Sequence, residues 1–210
     1  CLKKLRYKDG KVSFIARNHF TGLDWNGNNQ KQGYVRDITT SILDKSHQPV
    51  FKMAMATIDK PAWYQRFTVN NIRLKNPNKA EQEKRLQRLQ KKAMNLEITD
   101  EKVPYLPLTA LFNTKGEPND FLFSQIPDGS IIEIVRPNWD LSKEIGTHLN
   151  VSHLGFALWK NHQLIFRQAS SQYNKVVDVS LIEYLREQMK SPTIKRINVQ
   201  IIEKNPPACA

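Results

Sequence analysis

Between residues 78 and 96 the apolar side chains recur at three- and four-residue spacing. Leu86, Leu89, Ala93 and Leu96 form one narrow stripe, and most other positions are polar and basic. That period is helical. Asn78 stands three residues ahead of Glu81, the reciprocal pattern of a helix start, so the spacing predicts an amphipathic helix whose stripe packs into a core. From residue 130 the period shortens. SIIEIVR (130–136), VSHLGFALW (151–159), LIFRQAS (164–170) and IKRINVQII (194–202) predict strands, the last alternating Ile197, Val199 and Ile201 on one face. The turn Pro127-Asp128-Gly129 opens the first, and Lys160 to Gln163 closes the second and third into a hairpin. Ser180 and Glu183 repeat the capping pattern ahead of SLIEYLREQMK, a helix expected to stop before Pro192.

The first half is less regular. PVFKMAMATI and WYQRFTVNNIRL each show partial strand alternation, interrupted at Lys60-Pro61, and a short helix is expected up to Phe112 after the Pro-containing segment 103–108. Residues 1–38 read as a short helix end, a turn at Asp9-Gly10, the apolar-aromatic segment VSFIARNHF and an Asn/Gly-dense loop from Asn26 to Gly33. Loops that only connect rarely hold side chains such as His19, Asp24 and Trp25 together. The main boundary is placed at the turn 114–119. The expected fold class is α+β: a mostly helical part, 1–118, packed on a small antiparallel β-barrel-like domain, 119–210. The cleft would lie between them, with the 17–29 loop on one side.

At 210 residues the chain can bury a sizeable core. Its 40% apolar content speaks for a folded globular protein, and no stretch approaches a membrane span. There are 32 Lys/Arg against 20 Asp/Glu, a net charge of +12, which biases the chain toward anionic partners. Many of the basic residues lie between Lys75 and Lys92, where a solvated helix face and a binding patch are the two readings. Cys1 and Cys209 define neither a disulfide framework nor a zinc site, and no metal or cofactor is implied. The opening, CLKKLRYKDG, has neither an initiator Met nor a signal segment and reads as a chain whose upstream part lies elsewhere.

Histidine is the side chain best suited to proton transfer near neutral pH. His47 and His162 fall in polar turns, and His148 reads as structural or at a rim. His153 falls inside a β-rich run, where burial requires its ring to be hydrogen-bonded. Gly155, two residues on, removes a side chain and so leaves room beside it. Gln168, on the return strand, comes near the level of His153, and its amide oxygen can accept an imidazole N–H. A core histidine bonded to a carbonyl and an oriented base are the two readings. Arg17 and Trp25 likewise read either as cleft groups, holding a carboxylate and stacking on a sugar or peptide face, or as an Arg17–Asp24 pair with Trp25 in the core.

VSHLGFALWKNHQLIFRQAS resembles the His-containing hairpin of the NlpC-type, papain-like cell-wall cysteine peptidases, and IPDGSIIEIV is similar to the strand that precedes it. RYKDGKVSFIARNHFTGLDW and RPNWDLSKEIGTHLNVSHLGF resemble a narrower branch, the N-acetylmuramoyl-L-alanine amidase-like proteins. The resemblance covers about half the chain. It implies a Cys-His-polar triad acting on the amide between muramic acid and L-alanine in peptidoglycan fragments, with His153 as base and Gln168 as orienting group. Many relatives have a second histidine at the place of Gln168. It also implies that Arg17, His19, Asp24 and Trp25 lie near the substrate, and that the setting is periplasmic or secreted. The family's nucleophile opens a helix well before the segment resembling LKKLRYKDG; Cys1 stands directly against it, so the nucleophile is expected upstream of this chain. The competing readings are a catalytically inactive cell-wall-binding domain and a basic nucleic-acid-binding module. Nucleic acid is not the expected partner, because residues 75–92 interleave no aromatic side chain. The sequence leaves the oligomeric state open.

Overall fold

The hairpin centred on 160–163 forms as its pattern requires. Asn161 and His162 both take positive φ, 48° and 64°, the backbone of a two-residue turn that matches the twist of the flanking strands. The computed structural model describes residues 2–76, 78–191, 193 and 196–205. Cys1, Cys209, Pro192 and Ile194, on which sequence expectations rest, lie outside the described residues.

Residues 2–37 run through helices α1 (Leu2–Arg6) and α2 (Gly27–Lys31), a π-helical turn at Thr21–Asn26 and strand β1 (Val35–Asp37). It continues with β2 (Lys52–Asp59), helix α3 (Lys60–Gln65), the long helix α4 (Lys79–Ala93), β3 (Ile98–Pro107) and the short α5 (Leu108–Leu111) and α6 (Asp120–Phe123). The remainder is β4 (Ser130–Leu141), β5 (Thr147–Lys160), β6 (Gln163–Ser170), β7 (Lys175–Ser180), α7 (Leu181–Gln188) and β8 (Arg196–Ile202). These eight strands make one antiparallel sheet in the order β2-β3-β8-β4-β5-β6-β7, and β1 also pairs with β8.

Two expectations are corrected. The sheet is open, with β2 and β7 as its ends, rather than a closed barrel-like domain. It curls far enough for the Asp59 N–H to donate to Thr147 Oγ1 at 2.7 Å, but among the described residues no ladder joins β2 to β5. The first 118 residues are not a separate, mostly helical layer either, since β1, β2 and β3 belong to the same sheet. The physical reason lies in β2 and β3. Ala54, Ala56 and Ile58 are buried on alternate positions of one strand, and Val103 and Tyr105 on the other. A period-two apolar face is satisfied by a sheet.

Local signals account for much of the rest. The segment WYQRFTVNNIRL is helix and 3-10 turn instead of strand: Asp59 Oδ1 accepts the Ala62 N–H at 2.8 Å, and Pro61 fits the first turn. The residue pattern marks none of β1, β3 and β7 as a strand; Pro104 within β3 masks the signal there. α4 forms where expected, with Asn78 Oδ1 accepting the Glu81 N–H at 3.1 Å. Its inner face is less apolar than the stripe suggests. Ala93 is buried, Leu86 and Leu89 are half-buried, and two glutamines complete the contact. Gln82 Nε2 donates to the Ile72 carbonyl at 2.7 Å, and Gln90 Nε2 to the Phe67 carbonyl at 3.2 Å.

The main core lies between one face of the sheet and helices α5, α6 and α7. Ile132, Ile134, Phe166, Ile197 and Val199 meet Leu108, Leu111, Phe123, Leu181 and Leu185, all fully or almost fully buried. On the opposite face Ile131 packs with Tyr34 and Val35, and Trp25 and Leu5 cover them.

Candidate active site

His153 sits opposite Ile134 in the β4–β5 ladder, and Gln168 opposite Gly155 in the β5–β6 ladder. The two are therefore diagonal neighbours on one face of the hairpin, within reach of long side chains. His153 Nε2 and Gln168 Oε1 form a hydrogen bond. An amide oxygen only accepts, so Nε2 carries the hydrogen and Nδ1 is left as the basic atom. The Phe166 ring stands edge-on to the imidazole, 6.1 Å between centroids, and Phe166 is itself fully buried. His153 is half-buried, neither sealed in the core nor free in water.

Gly155 has a different role from the one its sequence position suggests. A β-carbon there would lie 2.5 Å from Phe166 Cε2 and 2.5 Å from the Arg167 carbonyl oxygen. The missing side chain makes room for the core ring rather than for an approach to His153.

The N-terminal candidates form a second group. Asp24 Oδ1 pairs with Lys60 Nζ at 2.5 Å, with both side chains at most 22% exposed, and Asp24 Oδ2 accepts the Phe20 N–H at 3.3 Å. Lys60, not Arg17, is thus the partner of Asp24. His19 is hydrogen-bonded to the Phe14 carbonyl at 2.9 Å and packs against Trp63 and Phe14. Burial, together with the positive Arg17 and Lys60 nearby, lowers its pKa below the ordinary value, against the Phe14 carbonyl and Asp24, which raise it. Arg17 is exposed and its guanidinium has no ion pair among the described residues. Trp25 is half-buried and lies over Ile131, whereas His153 projects from the face of Ile134 and Phe166. No hydrogen bond or ring contact among the described residues joins the two groups.

A polar layer under the 21–29 segment escaped the sequence reading. Glu133, fully buried, accepts from Asn26 Nδ2 at 3.1 Å. Burial pushes its pKa to about 8 and that of the neighbouring Glu101 to about 7, each assisted by nearby negative charge. Gly22 passes so close over the Glu101 carboxyl that a β-carbon would collide with it. The available signal was an acid inside the apolar run SIIEIVR, where alternation turns Glu133 away from the main core.

The sequence matches the family described as N-acetylmuramoyl-L-alanine amidase-like over residues 1–194. Among solved structures, the chain is similar to a Legionella pneumophila protein at 57% identity and a TM-score of 0.95, covering 100% of this chain and 70% of that one. It is also similar in fold to an N-acetylmuramoyl-L-alanine amidase from Bacteroides uniformis, at 24% identity and a TM-score of 0.60, over 97% of this chain and 72% of that one. No curated protein matches.

Proposed function

The chain belongs to the N-acetylmuramoyl-L-alanine amidase-like family, and from that premise we propose that it is the larger part of a cysteine-type amidase with a papain-like core. The substrate in this reading is a peptidoglycan fragment, cut at the amide between the lactyl group of N-acetylmuramic acid and L-alanine. The observation that carries it is the His153–Gln168 hydrogen bond, which leaves Nδ1 of a half-buried imidazole as a base.

The reaction needs a thiol, assigned to a cysteine upstream of this chain. His153 Nδ1 takes the thiol proton, and the thiolate adds to the lactyl carbonyl carbon. Collapse breaks the C–N bond as the imidazolium gives its proton to the departing L-alanine amine. Water, deprotonated by the same nitrogen, then cleaves the thioester, releasing the muramic carboxylate and restoring the thiol. Gln168 fixes the tautomer throughout. As a neutral group it stabilises the imidazolium less than a carboxylate would. Arg17, His19, Asp24 and Trp25, whose loop packs against the other face of the sheet from His153, are assigned to outlying peptide and sugar parts of the fragment rather than to the scissile amide, with the Asp24–Lys60 pair bracing their loop. Peptidoglycan as substrate places the work in the periplasm or outside the cell.

The test uses a longer protein that includes the upstream cysteine, with a muramyl-peptide as substrate and the newly freed L-alanine amine as readout. His153→Ala is expected to remove cleavage while the far-ultraviolet circular dichroism stays unchanged. Cleavage retained by that variant would take His153 out of the mechanism.

A further inference from the structure

The most basic part of the chain lines a groove of about 610 Å³ between α4 and the segments 13–17 and 71–73. Arg85, Arg88 and Lys92 stand along one flank of the helix, beside rather than on its buried stripe, while Arg17 and Arg73 face them from the two segments. Arg85 is paired with Glu81 at 2.7 Å. The side chains of Arg17, Arg73, Arg88 and Lys92 have no ion pair or hydrogen bond among the described residues, and no acidic residue among them lines the groove. Between these charges the floor is apolar, made of Phe14, Ile15, Ile72 and Leu89. Phe14 is 44% exposed although it is a large apolar side chain.

These features constrain a ligand. A solvated basic face repels itself and does not need a concave shape, whereas converging cations around a low-dielectric floor concentrate the field on one spot. A single carboxylate would leave most of these cations uncompensated. Guanidinium forks match phosphate oxygens in pairs, and the volume is that of a small-molecule site. The apolar floor calls for a ligand with a carbon body beside its charge. We propose that this groove binds an organic diphosphate, its two adjacent phosphates held by Arg73, Arg88 and Lys92 with Arg17 and Arg85 at the rim, and its body resting on Phe14, Ile72 and Leu89. The inference does not rest on the amidase reading: of the residues given a part there, Arg17 alone lines this groove, at its rim, and neither His153 nor Gln168 does.

Calorimetric titration of the protein with inorganic pyrophosphate, ADP and geranyl diphosphate tests it. At least one of the two organic diphosphates is expected to bind roughly tenfold or more tighter than pyrophosphate, since burying a few methylene groups is worth about that factor. ADP as the tighter one identifies a flat, soluble source, and geranyl diphosphate an aliphatic, lipid-like one. Replacing Arg73 and Arg88 together by Gln is expected to weaken that binding about tenfold or more. Lys115→Gln with Lys175→Gln changes the net charge equally at exposed positions that do not line the groove and is expected to leave it within about twofold. Equal losses in the two double variants would reduce the effect to general charge attraction and overturn the proposal. So would pyrophosphate binding as tightly as both organic ligands, or no binding by any of the three. Should the Gln pair fail to fold, Arg73→Lys with Arg88→Lys keeps the charge but removes the forks, and an unchanged affinity there counts against the site.

Discussion

The Phe166 ring occupies the space that a side chain on Gly155 would need, with Cε2 2.5 Å from where the β-carbon would stand. Phe166 is fully buried, packs against Tyr184 of α7 and stands edge-on to His153. Gly155 therefore couples the helix-covered core to the candidate base. Gly155→Ala is expected to cost about 1–3 kcal/mol by overpacking, read as a melting temperature lowered by several degrees. Because the Arg167 carbonyl oxygen would be met at the same 2.5 Å, adding Phe166→Leu should restore only part of the loss. Full recovery would show that the ring alone sets the constraint.

Gln168→Leu keeps the bulk of the side chain and removes the acceptor. In the longer, cysteine-containing protein it is expected to lower muramyl-amide cleavage roughly 10²-fold with little change in melting temperature. A variant as active as the parent would mean that the imidazole is oriented by something else.

Glu133 gives the fold a pH dependence. Its pKa is about 8 in the folded chain against 4.5 as the ordinary value, so between these pH values the folded form keeps a proton that the unfolded form releases. Stability is then greatest below the lower value and declines as pH rises toward the upper one, by on the order of 4 kcal/mol if this group acts alone. Glu101, raised to about 7 by burial, adds a decline in the same direction. Urea midpoints at pH 5 and pH 8.5 should fall with rising pH in the parent and fall much less in Glu133→Gln. An unchanged slope in that variant would exclude Glu133 as the source.

The Asp24–Lys60 pair, at most 22% exposed, anchors the segment that carries His19 and Trp25. Lys60→Met is expected to cost about 2 kcal/mol by leaving Asp24 half-buried and unpaired, and Asp24→Asn in the same chain should recover a good part of it. Additive losses in the double-variant cycle would show that the pair contributes no coupling.

Several features were legible in the residues themselves because they depend on near neighbours in the chain. The α4 stripe and its Asn78 cap, the Ser180 cap of α7, the hairpin at 160–163 and the diagonal meeting of His153 with Gln168 all follow from short-range periodicity and turn chemistry. The chain alone also carried the likeness to its family. What it could not show were relations between distant segments. Residues 52–107 look irregular one window at a time, yet Ala54, Ile58 and Val103 bury a face only when β2 and β3 join a sheet whose next strand, β8, lies some ninety residues beyond β3. Lys60 as partner of Asp24, Glu133 beneath Asn26, and the ring of Phe166 filling the gap at Gly155 are likewise products of tertiary packing. Local backbone preference acts over a few residues, whereas the space beside a side chain and the charge facing it are set by whichever remote segment the closed core brings there.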